Sequence, residues 1–165
     1  MNGFFEFGTL NALMGPSGAG KTSLLKSING LYSEYMSKET NIFVNMRNKI
    51  KTCYIVQNER EHLLRGLTAK QAMIYASKVK NCDKHFDHNL NVNVLMSELL
   101  ISNTIDTNVD NCSGGEQKRL VIAMELTSHI KPNLICIDEP TSGLDSNAAQ
   151  VVCLIIVITL YMILI

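Results

Sequence analysis

The run Gly15 to Thr22, G-P-S-G-A-G-K-T, ends in a lysine and a hydroxyl residue behind three glycines. It fits G-x-x-x-x-G-K-[ST], the pattern of a loop that cradles phosphates. Gly15, Gly18 and Gly20 carry no Cβ, so the backbone can take positive φ and pass close to a polyphosphate. Main-chain N–H groups from about Gly18 to Thr22 are then expected to turn inward as an anion nest. Lys21 places an ammonium against β- and γ-phosphates, and the Thr22 hydroxyl can ligate Mg²⁺. A helix starting near Gly20 adds its positive dipole end. The candidate nucleotide-contact set is Gly15, Ser17, Gly18, Ala19, Gly20, Lys21, Thr22 and Ser23. The bland alternative is a glycine-rich turn.

Three further groups carry chemistry. Asp138 and Glu139 follow the apolar run Asn133 to Ile137. Two adjacent acids at the end of a buried strand are costly unless they have a cationic partner. Asp138 can hold Mg²⁺ through water, and Glu139 can polarise an attacking water. Gln57 leaves the apolar run Thr52 to Val56, where it could reach a metal or water, or be a surface amide. Ser113-Gly114-Gly115-Glu116 opens a helical pattern running to His129, with Leu120, Ala123, Met124 and Thr127 on its repeat. This is a helix cap with an acid in the first turn, and a possible second anion site. His85 and His88 could share a helix face, but no carboxylate or cysteine framework surrounds them, so a solvated loop is expected there.

These residues need elements to hold them. Thr9 to Met14 is short and largely apolar, a candidate buried strand ahead of the phosphate loop. Leu24, Leu25 and Ile28 share one face of the helix after it, and Asn29-Gly30 supplies a stop. Ile42-Phe43-Val44, within Thr40 to Asn45, suggests a short strand, with a basic turn over Arg47 to Lys51. Thr68 is placed to cap a helix whose face carries Ala69, Ala72, Met73 and Ala76. Lys78 to Asn93 loses periodicity, Val94 to Ile101 returns to an apolar helix, and Ser102 to Asn111 is a polar loop. Strand and helix alternate, so the expected fold is α/β with a mainly parallel sheet flanked by helices, Met14 and Ile137 ending adjacent buried strands.

At 165 residues the chain has the length of one domain, here taken as 1–165. Apolar residues make up 46% and charged residues 18%, which excludes disorder as the main state. Fifteen basic and 15 acidic residues balance, with no basic block, which argues against nucleic acid as a partner. The five cysteines form no C-x-x-C pair, so free thiols in a reducing compartment are expected, Cys136 and Cys153 serving as small core residues. No basic stretch followed by a long apolar one marks a signal peptide at the N-terminus. The apolar tail 151–165 would span about 22 Å as a helix, short of the roughly 30 Å hydrocarbon core. Its β-branched residues also suit a strand. A buried helix followed by a strand ranks first, and a membrane-touching segment second.

Taken together, the phosphate loop, C-S-G-G-E, the strand ending I-D-E-P and the following T-S-G-L-D resemble the nucleotide-binding domain of ABC transporters. Ser113-Gly-Gly-Glu-Gln-Lys-Arg119, Ile122-Ala-Met-Glu-Leu126 and Asp138 to Ser146 are closer still to the G subfamily, the white-like half transporters. The resemblance spans about Gly8 to Leu154. It implies a P-loop NTPase fold with a helical signature region, and ATP hydrolysis powering export across a membrane. Glu139 and Gln57 would be catalytic. Thr22, Gln57 and Asp138 would hold Mg²⁺. Ser113, Gly114 and Gly115 would touch the γ-phosphate of ATP held by a second such domain, in a homo- or heterodimer, with Asp145 at that interface. The domain would sit on the cytoplasmic face of a membrane, beside a transmembrane domain this chain lacks.

Departures from the family pattern accompany the match. Few residues precede Gly15, so the adenine-stacking aromatic is expected to be missing, and no histidine after His129 can serve as the switch histidine. The chain is therefore expected to be an incomplete domain, and a catalytically impaired nucleotide-binding fragment is the alternative. A soluble ABC-type ATPase acting on DNA or ribosomes is disfavoured, since no sustained heptads lie between the phosphate loop and Ser113.

Overall fold

The computed structural model describes residues 3–6, 8–32, 34, 36–43, 51–58 and 61–164, with side chains in the last helix described through position 157. Helix α1 (Lys21–Ile28) follows the phosphate loop and ends as its sequence dictates. Gly30 takes φ 76°, its N–H donates to Ser27 O at 3.0 Å, and Leu31 N–H donates to Lys26 O at 2.9 Å, a Schellman stop.

Strand β1 (Thr52–Ile55) pairs in parallel with β2 (Leu134–Ile137), in the register Thr52 with Leu134 through Ile55 with Ile137. These two form the sheet among the described residues. The pleat sends alternate residues to opposite faces. Cys53 and Ile55 enter the main core, with Ile135 and Ile137 packed against it. Tyr54 and Cys136 turn to the other face, towards α1: Lys26 Nζ lies 6.0 Å from the Tyr54 ring, and Asn29 sits beside Cys136.

On the core side stand α2 (Ala69–Lys80), α3 (His88–Glu98) and α4 (Gly114–Leu126). Ala69, Ala72 and Met73 are buried as the helical repeat requires, and Thr68 forms a capping box with Gln71. Val92, Leu95, Met96, Leu120, Val121, Ile122 and Leu126 complete the cluster. Two 3₁₀ turns, Ser102–Thr104 and Val109–Asn111, occupy the segment expected to be a polar loop. Helix α5 (Ser146–Leu164) packs on α4.

Several expectations are corrected. Thr9 to Met14 is not a strand: Leu10 and Met14 are 58% and 88% exposed. Its polar residues bond locally instead, Thr9 Oγ1 donating to Glu6 O and Asn11 Nδ2 to Thr9 Oγ1, which competes with sheet pairing. Met14 and Ile137 therefore do not end adjacent buried strands. Ile42 and Phe43 are likewise exposed and outside any strand, while positions 44 and 45 of that segment and 47–50 of the basic turn lie outside the described residues.

The polar stretch Lys78 to Asn93 holds the end of α2 and the start of α3. Several of its polar groups pair within the protein, while Lys78, Asp83, Lys84 and His85 are exposed. Asp87 caps α3 through Leu90 N–H, Ser77 Oγ lies 2.8 Å from His88 Nδ1, and Asn91 Nδ2 donates to Thr127 O. Neither His85 nor His88 belongs to a metal-type cluster among the described residues. Helix α4 stops at Leu126, short of His129. The apolar tail continues one helix instead of turning into a strand, because Asp145 caps it through Ala148 N–H and Val152 and Ile155, three apart, are wholly buried. Packing overrides β-branched preference here. Cys153, expected in the core, is exposed on this helix, and the described cysteines are all free thiols. No helix among the described residues is long and apolar enough to cross a membrane.

Candidate functional site

In the phosphate loop Gly18 and Gly20 adopt φ 78° and 85°, the left-handed conformation that a side chain would resist. Gly20 is the N-cap of α1 and offers no side-chain cap, which leaves first-turn amides to an anion. Ala19 N–H is already committed to Pro16 O at 3.2 Å, so the nest is narrower than the sequence suggests. Lys21 Nζ folds back onto the carbonyls of Gly15 and Pro16, each at 3.0 Å. The lysine and the loop thus satisfy one another, and the ammonium must change partners to meet a phosphate. Thr22 and Ser23 are exposed, as are Ser17 and Ala19.

At the C-terminal ends of β1 and β2 three of the expected residues converge. Asp138 continues β2, its N–H donating to Ile55 O at 3.0 Å, and is only 5% exposed. Its Oδ2 accepts from Tyr54 Oη at 3.1 Å. Burial, then the bond to Asp138, push the Tyr54 phenol well above its ordinary pKa, so it remains a donor. Glu139 is exposed and holds φ 47° immediately before Pro140. Left-handed backbone at a non-glycine residue costs on the order of 1–3 kcal/mol and is found where geometry serves a site. Gln57 Nε2 donates to Glu139 Oε2 at 2.6 Å and reaches Ser142 Oγ at 3.5 Å.

Ser113 caps α4 and closes a capping box with Glu116, confirming the helix-cap reading of that stretch. Ser113 and Gly114 are exposed. Gly115 is buried instead, and a Cβ on it would stand 3.0 Å from Ala148 Cβ. The second glycine therefore leaves room for α5. Gly115→Val is expected to cost about 1–3 kcal/mol through overpacking and to lower the melting temperature by about 2–12 °C. Thermal unfolding followed by circular dichroism checks this, and an unchanged midpoint would remove α5 as the reason for the glycine. Asp145 spends its Oδ1 on Ala148 N–H at 2.9 Å.

Sequence reasoning missed two residues. Tyr54 alternates onto the Asp138 face of the sheet, a signal contained in the period of two. Lys118 falls on the buried repeat Gly115, Lys118, Ile122 and is fully buried, donating to Gln57 O at 3.1 Å.

Comparison with known proteins accords with this geometry. The profile of the ABC transporter family matches residues 1–142. ATP-binding cassette sub-family G member 5 of Mus musculus is 30% identical over 163 residues, covering 93% of this chain and 25% of that protein. ABC transporter G family member 11 of Arabidopsis thaliana is 32% identical over 160 residues, covering 90% of this chain and 22% of that protein. The chain thus spans about a quarter of the length of these curated relatives. The solved structure of cbiO1 from Clostridium perfringens, part of the ABC transporter complex cbiONQ, superposes with a TM-score of 0.81 at 18% identity, over 99% of this chain and 66% of that one. That likeness establishes the P-loop NTPase fold. With its matched profile and its similarity to G-subfamily members, the chain belongs to the ABC transporter family.

Proposed function

We propose that this chain is an ATP-binding and ATP-hydrolysing domain that powers export by a membrane transporter of the G subfamily. The observation that carries the reading is the meeting of Gln57, Asp138 and Glu139 at one end of a parallel sheet, the edge where open α/β sheets bind ligands. The donor set suits Mg²⁺, which takes one or two carboxylates together with phosphate oxygens and water. Asp138, Thr22 and Gln57 would hold the ion, and bound Mg²⁺ would neutralise charge developing on the triphosphate. The loop around Gly18 to Ser23 binds the phosphates, Lys21 supplies the cation, and Glu139 accepts a proton from the attacking water. Ser113 and Gly114, exposed at the start of α4, face a second domain of the same kind, with Gly115 behind them and Asp145 nearby in that interface. The transmembrane partner lies beside the Gln57 loop, and the domain works on the cytoplasmic side of its membrane.

A second reading, a nucleotide-binding fragment that hydrolyses poorly, is favoured by the exposed Met14 segment and by Lys21 held on its own loop. Titration of the purified chain with a fluorescent ATP analogue in Mg²⁺, together with phosphate release, tests both. Saturable binding displaced by ATP, with turnover above that of Glu139→Gln, is the expected result. Binding with turnover no greater than that variant favours the fragment. Absence of saturable binding up to millimolar nucleotide overturns both.

A further inference from the structure

Lys118 is a lysine with no exposed surface, in the second turn of α4, on the face that packs into the core. An ammonium withdrawn from water costs several kcal/mol unless hydrogen-bonded, and an aliphatic side chain would pack there at lower cost. Its charge is directed at the Gln57 carbonyl, 3.1 Å from Nζ and 61 residues away in sequence. The same Gln57 offers its side-chain amide to Glu139 at 2.6 Å. One line of contacts therefore runs from the N-terminus of α4, capped by Ser113, through Lys118 and Gln57 to Glu139. Helix α4 is rigid over this distance: its first turn is locked by the capping box, and Gln117 Nε2 ties it to the preceding turn through Val109 O and Cys112 O.

We propose that Lys118 is a positioning residue that fixes the Gln57 loop to the signature helix and thereby sets where Glu139 stands. A displacement of α4, as when its N-terminus engages a ligand, is transmitted to the carboxylate through the Lys118 ammonium. The inference rests on the hydrolytic roles proposed for Gln57 and Glu139, but its physical core, the tether of the Gln57 loop, is separately measurable.

The test uses the full chain with Lys118→Met, which keeps most of the stem and removes the charge, and Lys118→Arg, which restores a cation. Without nucleotide, amide hydrogen exchange over 56–58 is expected to quicken about tenfold or more in Lys118→Met, the scale of one lost charged hydrogen bond. Lys118→Arg should recover at least part of that protection. In phosphate release, Lys118→Met is expected to lower kcat by about tenfold with KM changed less than about threefold. In a Gln57→Ala background the same substitution should cost less than about twofold, since residues acting in one line do not add. Unchanged exchange at 56–58, or full additivity with Gln57→Ala, would overturn the proposal. So would loss of cooperative melting in both Lys118 variants, which would make the residue part of the core only. If wild-type protein fails to bind ATP while the exchange result holds, the functional reading fails and the tether stands.

Discussion

Glu139→Gln is expected to slow ATP hydrolysis by about 10²- to 10⁴-fold, the range of a general base, while ATP affinity stays within about threefold. The substitution is nearly isosteric and retains an amide oxygen, so Gln57 Nε2 keeps an acceptor where it now meets Glu139 Oε2. The left-handed turn at Glu139, followed by Pro140, belongs to the backbone and is unaffected. What is lost is a group able to take the proton of an attacking water. Removing a negative charge beside a triphosphate favours binding, which opposes any small loss from altered contacts. Single-turnover phosphate release, measured beside equilibrium nucleotide binding, separates the two quantities. A rate loss below about tenfold, or binding lost in step with turnover, would remove Glu139 from its proposed role.

Lys21→Ala is expected to do the opposite and to raise the dissociation constant for Mg-ATP by about 10- to 150-fold. A charge-assisted hydrogen bond contributes on the order of 1.5–3 kcal/mol, and each 1.4 kcal/mol is tenfold in affinity. Stability should barely change. The Lys21 bonds to Gly15 O and Pro16 O are exposed, α1 buries no residue fully, and alanine is a good helix former. Isothermal titration and a melting curve on the same preparation check both halves. If Lys21→Ala and Glu139→Gln weaken binding equally, the assigned division between capture and hydrolysis is wrong.

Motifs whose chemistry depends on local backbone were legible from residue order alone. Glycine at 18 and 20 permits the positive φ such a loop needs, and both take it, whereas Gly15 does not. Asn29-Gly30 stops α1, Thr68 caps α2 and Ser113 caps α4, because each signal acts within a few residues of itself. The run at Leu134–Ile137 is apolar enough to be a strand, and the acids after it stand at its end. Equally local signals misled where side chains had other partners. Asn91 and His88 look solvated in sequence, yet one donates to Thr127 O and the other meets Ser77 across two helices.

The sequence by itself determined the family and the local turns and caps, since left-handed glycines, caps and strand-end acids are specified by neighbours along the chain. Tertiary structure alone decided which candidates meet. Gln57 reaches Glu139 across 82 residues because β1 and β2 pair in parallel and in register, a long-range choice that no local pattern encodes. Thr9 to Met14 stays outside that sheet, its polar side chains spent on local hydrogen bonds. Packing of α5 on α4 set Gly115 against Ala148, and the face α4 presents to the core turned Lys118 inward. Burial depends on what packs opposite a side chain, and the chain order does not state what that is.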